Sequence, residues 1–243
     1  MDTTERGEVS MRTLRRSQER EQHARGKQQR WLTFPVLTAG ALHAAGFGGL
    51  VLFNEDRLPP GGSLRSGPAR DLDLEIVTYV REGALAFRDS LGCTGLIQAG
   101  EFQCSSGRRG VRRTASNPSR TDAAHVFQMF LRPTEAGLEP SDEQRRFSVA
   151  ERRGGLRVVA APDARGGSLR VNSDAFVYSA LLDLGKHVVH ALAPGRRAWV
   201  HVVKGAVTLD ELVLTTGDSA GITAERALSL TAREDTELLL LDV

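Results

Sequence analysis

The sequence predicts an all-β protein with two barrels or sandwiches in one chain. Three observations carry this. Short β-rich runs are cut repeatedly by Gly, Pro and Asp, few stretches have the length and 3.6-residue period of a helix, and one strand-glycine-strand texture occurs in each half.

Residues 1–30 are polar and charged, show little apolar periodicity before Trp31, and are expected to be disordered before about Met11, itself an alternative start. Strands are expected at Leu50–Phe53, Glu75–Val80, Ala84–Phe87 and His125–Leu131 in a first unit spanning 31–137. A polar stretch with two prolines, from Arg132 to Arg146, marks the change of unit, and the linker is set at 138–152. In the second unit, 153–243, strands are expected at Leu156–Ala160, Ala175–Leu182, Ala198–Val203 and Glu237–Leu241. The halves rhyme: Val80-Arg-Glu-Gly83 followed by Ala99-Gly100-Glu101 parallels Val203-Lys-Gly205 followed by Thr216-Gly217-Asp218. Two copies of one all-β unit is the economical interpretation.

A chain of 243 residues with 40% hydrophobic and 26% charged residues folds without disulfide staples. Its formal charge of +2 and 5% aromatic content argue against a nucleic-acid partner. The longest apolar stretch, Phe34 to Phe53, is broken by Pro35, His43 and several glycines, so no membrane span is expected. The charged start has no apolar core of a secretory leader, which makes the cytoplasm the expected compartment.

The run Asn54-Glu-Asp-Arg57-Leu-Pro-Pro-Gly-Gly62 resembles one found in the pirin family of bicupins. The likeness extends through Glu75-Ile-Val-Thr-Tyr-Val-Arg-Glu-Gly83, Arg88-Asp-Ser90, Asn117-Pro-Ser119, Gln128, His190-Ala-Leu-Ala-Pro-Gly-Arg196 and Ala198-Trp-Val-x-Val-Val-x-Gly205, from about Met11 to the C-terminus. This resemblance implies a bicupin: two double-stranded β-helix (jelly-roll) barrels. In metal-binding pirins it further implies one iron-type ion in the first barrel, held by His-Pro-His and by the His and Glu of a Gly-[Ile/Val]-Arg-His-x-Glu segment.

Here those segments read Gly67-Pro68-Ala69-Arg70-Asp71 and Gly110-Val111-Arg112-Arg113-Thr114-Ala115. The implied ligand positions therefore fall on Gly67, Ala69, Arg113 and Ala115, or on Ala69 and Asp71 in the alternative register of the first segment. Neither register restores a histidine. A cation at one position adds charge repulsion, so no metal or other cofactor is expected.

The remaining candidates have bland readings. His187, His190 and His201 are read as structural histidines, and His125 as packing at the edge of the core. Arg112 and Arg113 lie in a run of five arginines between Phe102 and Thr121, read as a solvated loop, with an anion pocket as the sharper alternative. If Arg113 points inward it needs an anion, either Asp71 or Asp73 or a bound acid. Cys93 and Cys104 are expected as free thiols, with a redox bridge across a hairpin as the alternative. No Ser, His and Asp set or carboxylate pair nominates a catalytic centre.

The expected function is thus a metal-free pirin-like protein with a binding or regulatory role, taking another protein or a small organic anion as partner. The alternatives are a metal-independent enzyme or organic-acid binder using the arginine-containing barrel, and, if a metal is bound after all, a quercetin 2,3-dioxygenase-like enzyme.

Overall fold

The structure is a computed structural model and describes residues 11–34, 46–64, 73–107, 111–135 and 142–243. In chain order the strands are β1 (Met11–Arg15), β2 (Glu21–Arg25), β3 (Gln28–Leu32), β4 (Leu50–Leu58), β5 (Leu74–Glu82), β6 (Ala84–Asp89), β7 (Thr94–Gln98), β8 (Glu101–Gly107), β9 (Arg113–Ser116), β10 (Ala124–Leu131) and β11 (Asp142–Arg146). A helical turn, α1 (Val149–Arg152), follows. Then come β12 (Arg157–Ala161), β13 (Leu169–Arg170), β14 (Phe176–Leu182), β15 (His187–Ala191), β16 (Ala198–Lys204), β17 (Ala206–Leu209), β18 (Leu212–Thr215), β19 (Ser219–Thr223), β20 (Ala227–Ala232) and β21 (Thr236–Asp242).

Each half is a two-sheet barrel. In the first, the sheet ordered β11-β8-β5-β10-β4-β3-β2 is backed by β7-β6-β9. In the second, β1-β19-β16-β21-β14-β12-β13 is backed by β15-β20-β17-β18. The duplication is therefore topological: β8-β5-β10-β4 corresponds to β19-β16-β21-β14. The shared glycines have a steric reason. Gly83 (φ +73°) and Gly205 (φ +92°) turn between paired sheets where an added Cβ would lie 2.7 Å from the Ala123 carbonyl and 2.6 Å from the Asp235 carbonyl. The acids at the repeated corners cap the preceding hairpins, since Glu101 accepts from the Gln98 amide and Asp218 from the Thr215 amide.

The two large sheets pack against each other, so their central strands are buried on both faces. That is why β21 is buried throughout while β15, in a smaller outer sheet, alternates in exposure. The shared core between the barrels is aromatic. Trp199 meets Phe34 and Phe47 with ring centroids 4.9 and 5.3 Å apart, and Tyr79 stacks on Phe102 at 4.3 Å. The second barrel's own interior is filled with Val, Leu, Ile and Ala.

Two expected boundaries differ from the observed arrangement. Within 1–30, β1 pairs with β19 of the second barrel, while β2 and β3 extend the first. These strands escape a reading based on apolar periodicity because edge strands are held by backbone hydrogen bonds, and β2 is exposed along its whole length. The expected linker 138–152 likewise supplies β11, which pairs with the edge of β8. The disorder expected before Met11 lies outside the described residues.

Two buried polar clusters sit between the barrels. Glu237 of β21 accepts from Tyr79 Oη (2.5 Å) and Arg81 Nε (2.9 Å) of the first barrel and from Arg152 Nη1 of α1 (3.3 Å). Glu55 of β4 accepts from Arg20 Nη1 (2.5 Å) and is bonded to His125 Nε2 (2.8 Å). His201, fully buried beside Phe53 and Phe127, is bonded through Nδ1 to Ser219 Oγ at 2.8 Å. Burial, aided by the Arg20 charge, pushes His201 down to about 3. For Glu55, the His125 bond and the Arg20 charge overcome burial and hold the carboxyl at about 2.

Candidate functional site in the first barrel

Alternation fixes what faces into the first barrel. Leu58, Val80, Ala124 and Val126 pack with Leu85, Phe87 and Ile97 of the smaller sheet, so residues of the same phase on β4, β5 and β10 point inward too. The register then aligns Asn54, Gln128, Thr78 and Gln103 as direct cross-strand neighbours on four adjacent strands. The result is a row of uncharged polar side chains across the middle of a barrel wall. Val126 and Val80 form the next row on one side, and Leu52, Phe130, Ile76 and Ser105 the next on the other.

On the facing sheet, Arg113 and Ala115 of β9 share the inward phase, and Ala115 packs against the interior cluster. The Arg113 guanidinium lies 3.9 Å over the Phe87 ring, donates to Gln103 Oε1 at 2.7 Å and pairs with Asp142 at 3.1 Å. Its carboxylate partner among the described residues is thus Asp142 of β11, which the sequence did not suggest; Asp71, one of the two acids it did suggest, lies outside the described residues. The reason is topological: β11 lies beside β8 and brings its first residue level with Ser105, close to Gln103. Replacing Arg113 by Ala and Asp142 by Asn, singly and together, should give a coupling of about 0.5–1 kcal/mol in a double-mutant cycle of urea unfolding, since the pair is partly solvated. A coupling near zero would mean that the two side chains do not meet.

The family's implied ion does not fit these residues. The inward groups are amides, hydroxyls and a guanidinium. Asp142 is engaged by Arg113, and Asp56, on the same face, is bonded to Arg30 at 2.7 Å. Among the described residues no three His, Cys, Asp or Glu side chains gather to hold a metal. A transition ion would meet a fixed positive charge and no imidazole.

The other sequence candidates scatter. Gly67, Ala69 and Asp71 lie outside the described residues. Arg112 is exposed and engages Ser90 through its backbone. Cys93 is exposed in the β6–β7 turn, whereas Cys104 is buried in the core between barrels, where burial pushes its thiol well up. Both are free, and the hairpin bridge fails because Cys104 faces the opposite barrel. His187 and His190 face opposite sides of β15: His187 bonds Thr231, and His190 bonds Asp242 at 2.9 Å. His125 is more than edge packing, being buried and bonded to Glu55. Sequence reasoning missed Gln103 and Asp142 as neighbours of Arg113, and Asn54 as a member of the polar row. Counting the inward phase back from Leu58 identifies Asn54, whereas Gln103 and Asp142 required knowing where β8 and β11 pair.

Residues 15–131 match the family described as "Pirin", and residues 158–243 match "Quercetinase C-terminal cupin domain". The chain is 37% identical over 230 residues to quercetin 2,3-dioxygenase of Escherichia coli K12, covering 95% of this chain and 97% of that protein. It is 32% identical over 199 residues to a pirin-like protein of Caulobacter vibrioides, covering 81% and 84%. The crystal structure of bacterial pirin YhhW from Escherichia coli in complex with nickel(II) superimposes with a TM-score of 0.84 at 36% identity, covering 96% of this chain and 99% of that one. With the two-barrel topology and the aligned halves, these likenesses establish that the chain belongs to the pirin family.

Proposed function

We propose that this protein is a metal-independent binding or regulatory member of the pirin family, not an oxygenase. The carrying observation is Arg113. It stands at an implied ligand position, points into the first barrel, and has its charge matched by Asp142. Oxidation of a flavonol by dioxygen draws on a redox-active metal in this family, and a guanidinium in its place supplies no redox chemistry. With Arg113 already paired, an organic acid also loses the unpaired cation that would attract it. A partner is then either a protein or a molecule that does not need to neutralise the arginine.

The second reading is quercetin 2,3-dioxygenase activity, favoured by the near full-length 37% identity to the Escherichia coli enzyme. Incubating untagged protein with quercetin under air, alone and with iron(II) or nickel(II), separates the two. We expect no consumption of quercetin above the metal-only control. Enzyme-dependent consumption would replace the binding reading with the catalytic one.

A further inference from the structure

We propose that β15, at the free edge of the second barrel's smaller sheet, pairs antiparallel with β15 of a second copy of this chain, joining two four-stranded sheets into one. This goes beyond the reading above and does not depend on whether the first barrel holds a metal.

A sheet edge carries unpaired N–H and C=O groups that template any strand laid against them, and soluble proteins blunt such edges with charge, shortness or cover. Among the described residues the other edges follow that rule. β1 carries Arg12 and Arg15, β2 carries Glu21 and Arg25, β11 reads Asp142-Glu-Gln-Arg-Arg146, and β13 is only two residues long. The remaining edges are engaged by other segments: Ala115 of β9 accepts from the Leu64 amide, Val213 of β18 from the Arg16 side chain, and Leu96 of β7 from the Gln144 side chain.

β15 has none of these protections. It reads His187-Val-Val-His-Ala191, without Lys, Arg, Asp, Glu or Pro, and pairs with β20 in unbroken register. The bonds from the Leu192 amide to the Arg226 carbonyl and from the Ala232 amide to the Lys186 carbonyl fix the phase of that ladder, so the even-numbered residues bond to β20. His187, Val189 and Ala191 therefore aim their N–H and C=O groups outward. All three are exposed, Val189 at 58%.

The strand complements itself. Antiparallel pairing about Val189 sets Val189 against Val189 and His187 against Ala191 in both directions, with about six backbone hydrogen bonds. A β-branched pair then lies on the twofold axis and no like charges meet. Lys186, beside the strand, falls opposite Leu192 rather than its own copy, and exposed Leu184 comes toward exposed Pro194 of the second copy. A foreign strand would gain the backbone bonds without this reciprocity, which favours a second copy as the occupant. The contact is small, so the dimer belongs to the weak, concentration-dependent class.

Sedimentation velocity of the untagged full chain from about 1 to 500 μM tests the proposal. The apparent mass is expected to rise from 26.4 kDa toward twice that value across the range. Val189→Lys and Val189→Glu each set like charges against one another on the axis, so each alone should stay monomeric and their equimolar mixture should dimerise again. Val189→Pro removes only an outward-facing donor and should also stay monomeric. Thermal unfolding of each variant checks that the barrel is intact. A chain that is monomeric at every concentration overturns the self-pairing, even if the edge captures a segment of another protein. A dimer that persists in all three variants overturns it too, because the contact then lies elsewhere, as does loss in the Lys and Glu variants without recovery on mixing.

Discussion

Replacing Glu237 by Ala is expected to destabilise the protein by about 3–5 kcal/mol, the usual consequence of leaving a buried cation without its partner. Glu237 collects Tyr79 and Arg81 from the first barrel and Arg152 from the turn joining the halves. Arg152 is almost fully buried and its Nε already lacks a partner, so losing the carboxylate strands the guanidinium. With a chain of this size the melting midpoint should fall by roughly 10 °C. The double variant Glu237→Leu with Arg152→Met should recover much of the loss, because the penalty lies in the uncompensated charge more than in the missing bonds. A loss below about 1 kcal/mol in Glu237→Ala would show that this cluster does not fasten the barrels.

Stability should also fall as the medium turns acidic, beginning below pH 6.5. His201 protonates at about 3 in the folded protein against an unfolded value of 6.5, so between those pH values only the unfolded chain takes up the proton. The contribution of neutral His201 is therefore complete above pH 6.5 and is lost progressively toward pH 3, amounting to several kcal/mol. Glu55 acts in the same direction over a lower window, with stability complete above 4.5 and lost toward about 2. The groups acting on His201 come from several elements: Arg20 after β1, Glu55 on β4, His125 on β10 and Asp218 before β19. Urea unfolding at a series of pH values from 7.5 to about 4.5 isolates the histidine, since Glu55 contributes little there. His201→Asn, which keeps a donor for Ser219 but cannot titrate, should flatten the profile in that range. Equal slopes in wild type and variant would assign the acid sensitivity to other groups.

Much of the fold was legible because buried strands write their own signal. Glu237-Leu-Leu-Leu-Leu241 and Glu75-Ile-Val-Thr-Tyr-Val80 are apolar enough to be read directly, and the repeated glycines at Gly83 and Gly205 mark turns that a side chain would obstruct. The edges were not legible. β1, β2 and β11 are polar strands fixed by backbone pairing to distant segments, and nothing in their composition names those partners. The site divides similarly. The ligand position implied by the family resemblance offered an inward Arg113 only as the alternative to a solvated loop, and its partner Asp142 arrives on a strand that the sequence presents as linker. The buried Glu55 and Glu237 clusters were invisible for the same reason, since each gathers side chains from segments far apart in the chain.

Metal stoichiometry of untagged protein tests most directly whether the first barrel works without a metal. Elemental analysis by inductively coupled plasma mass spectrometry should be run on this protein and, prepared identically, on the Escherichia coli pirin whose structure contains nickel(II). Far less than one iron, nickel, copper or zinc per chain is expected here, with or without prior exposure to the ions. One tightly bound transition ion per chain, lost on replacing residues of the first barrel, would contradict it.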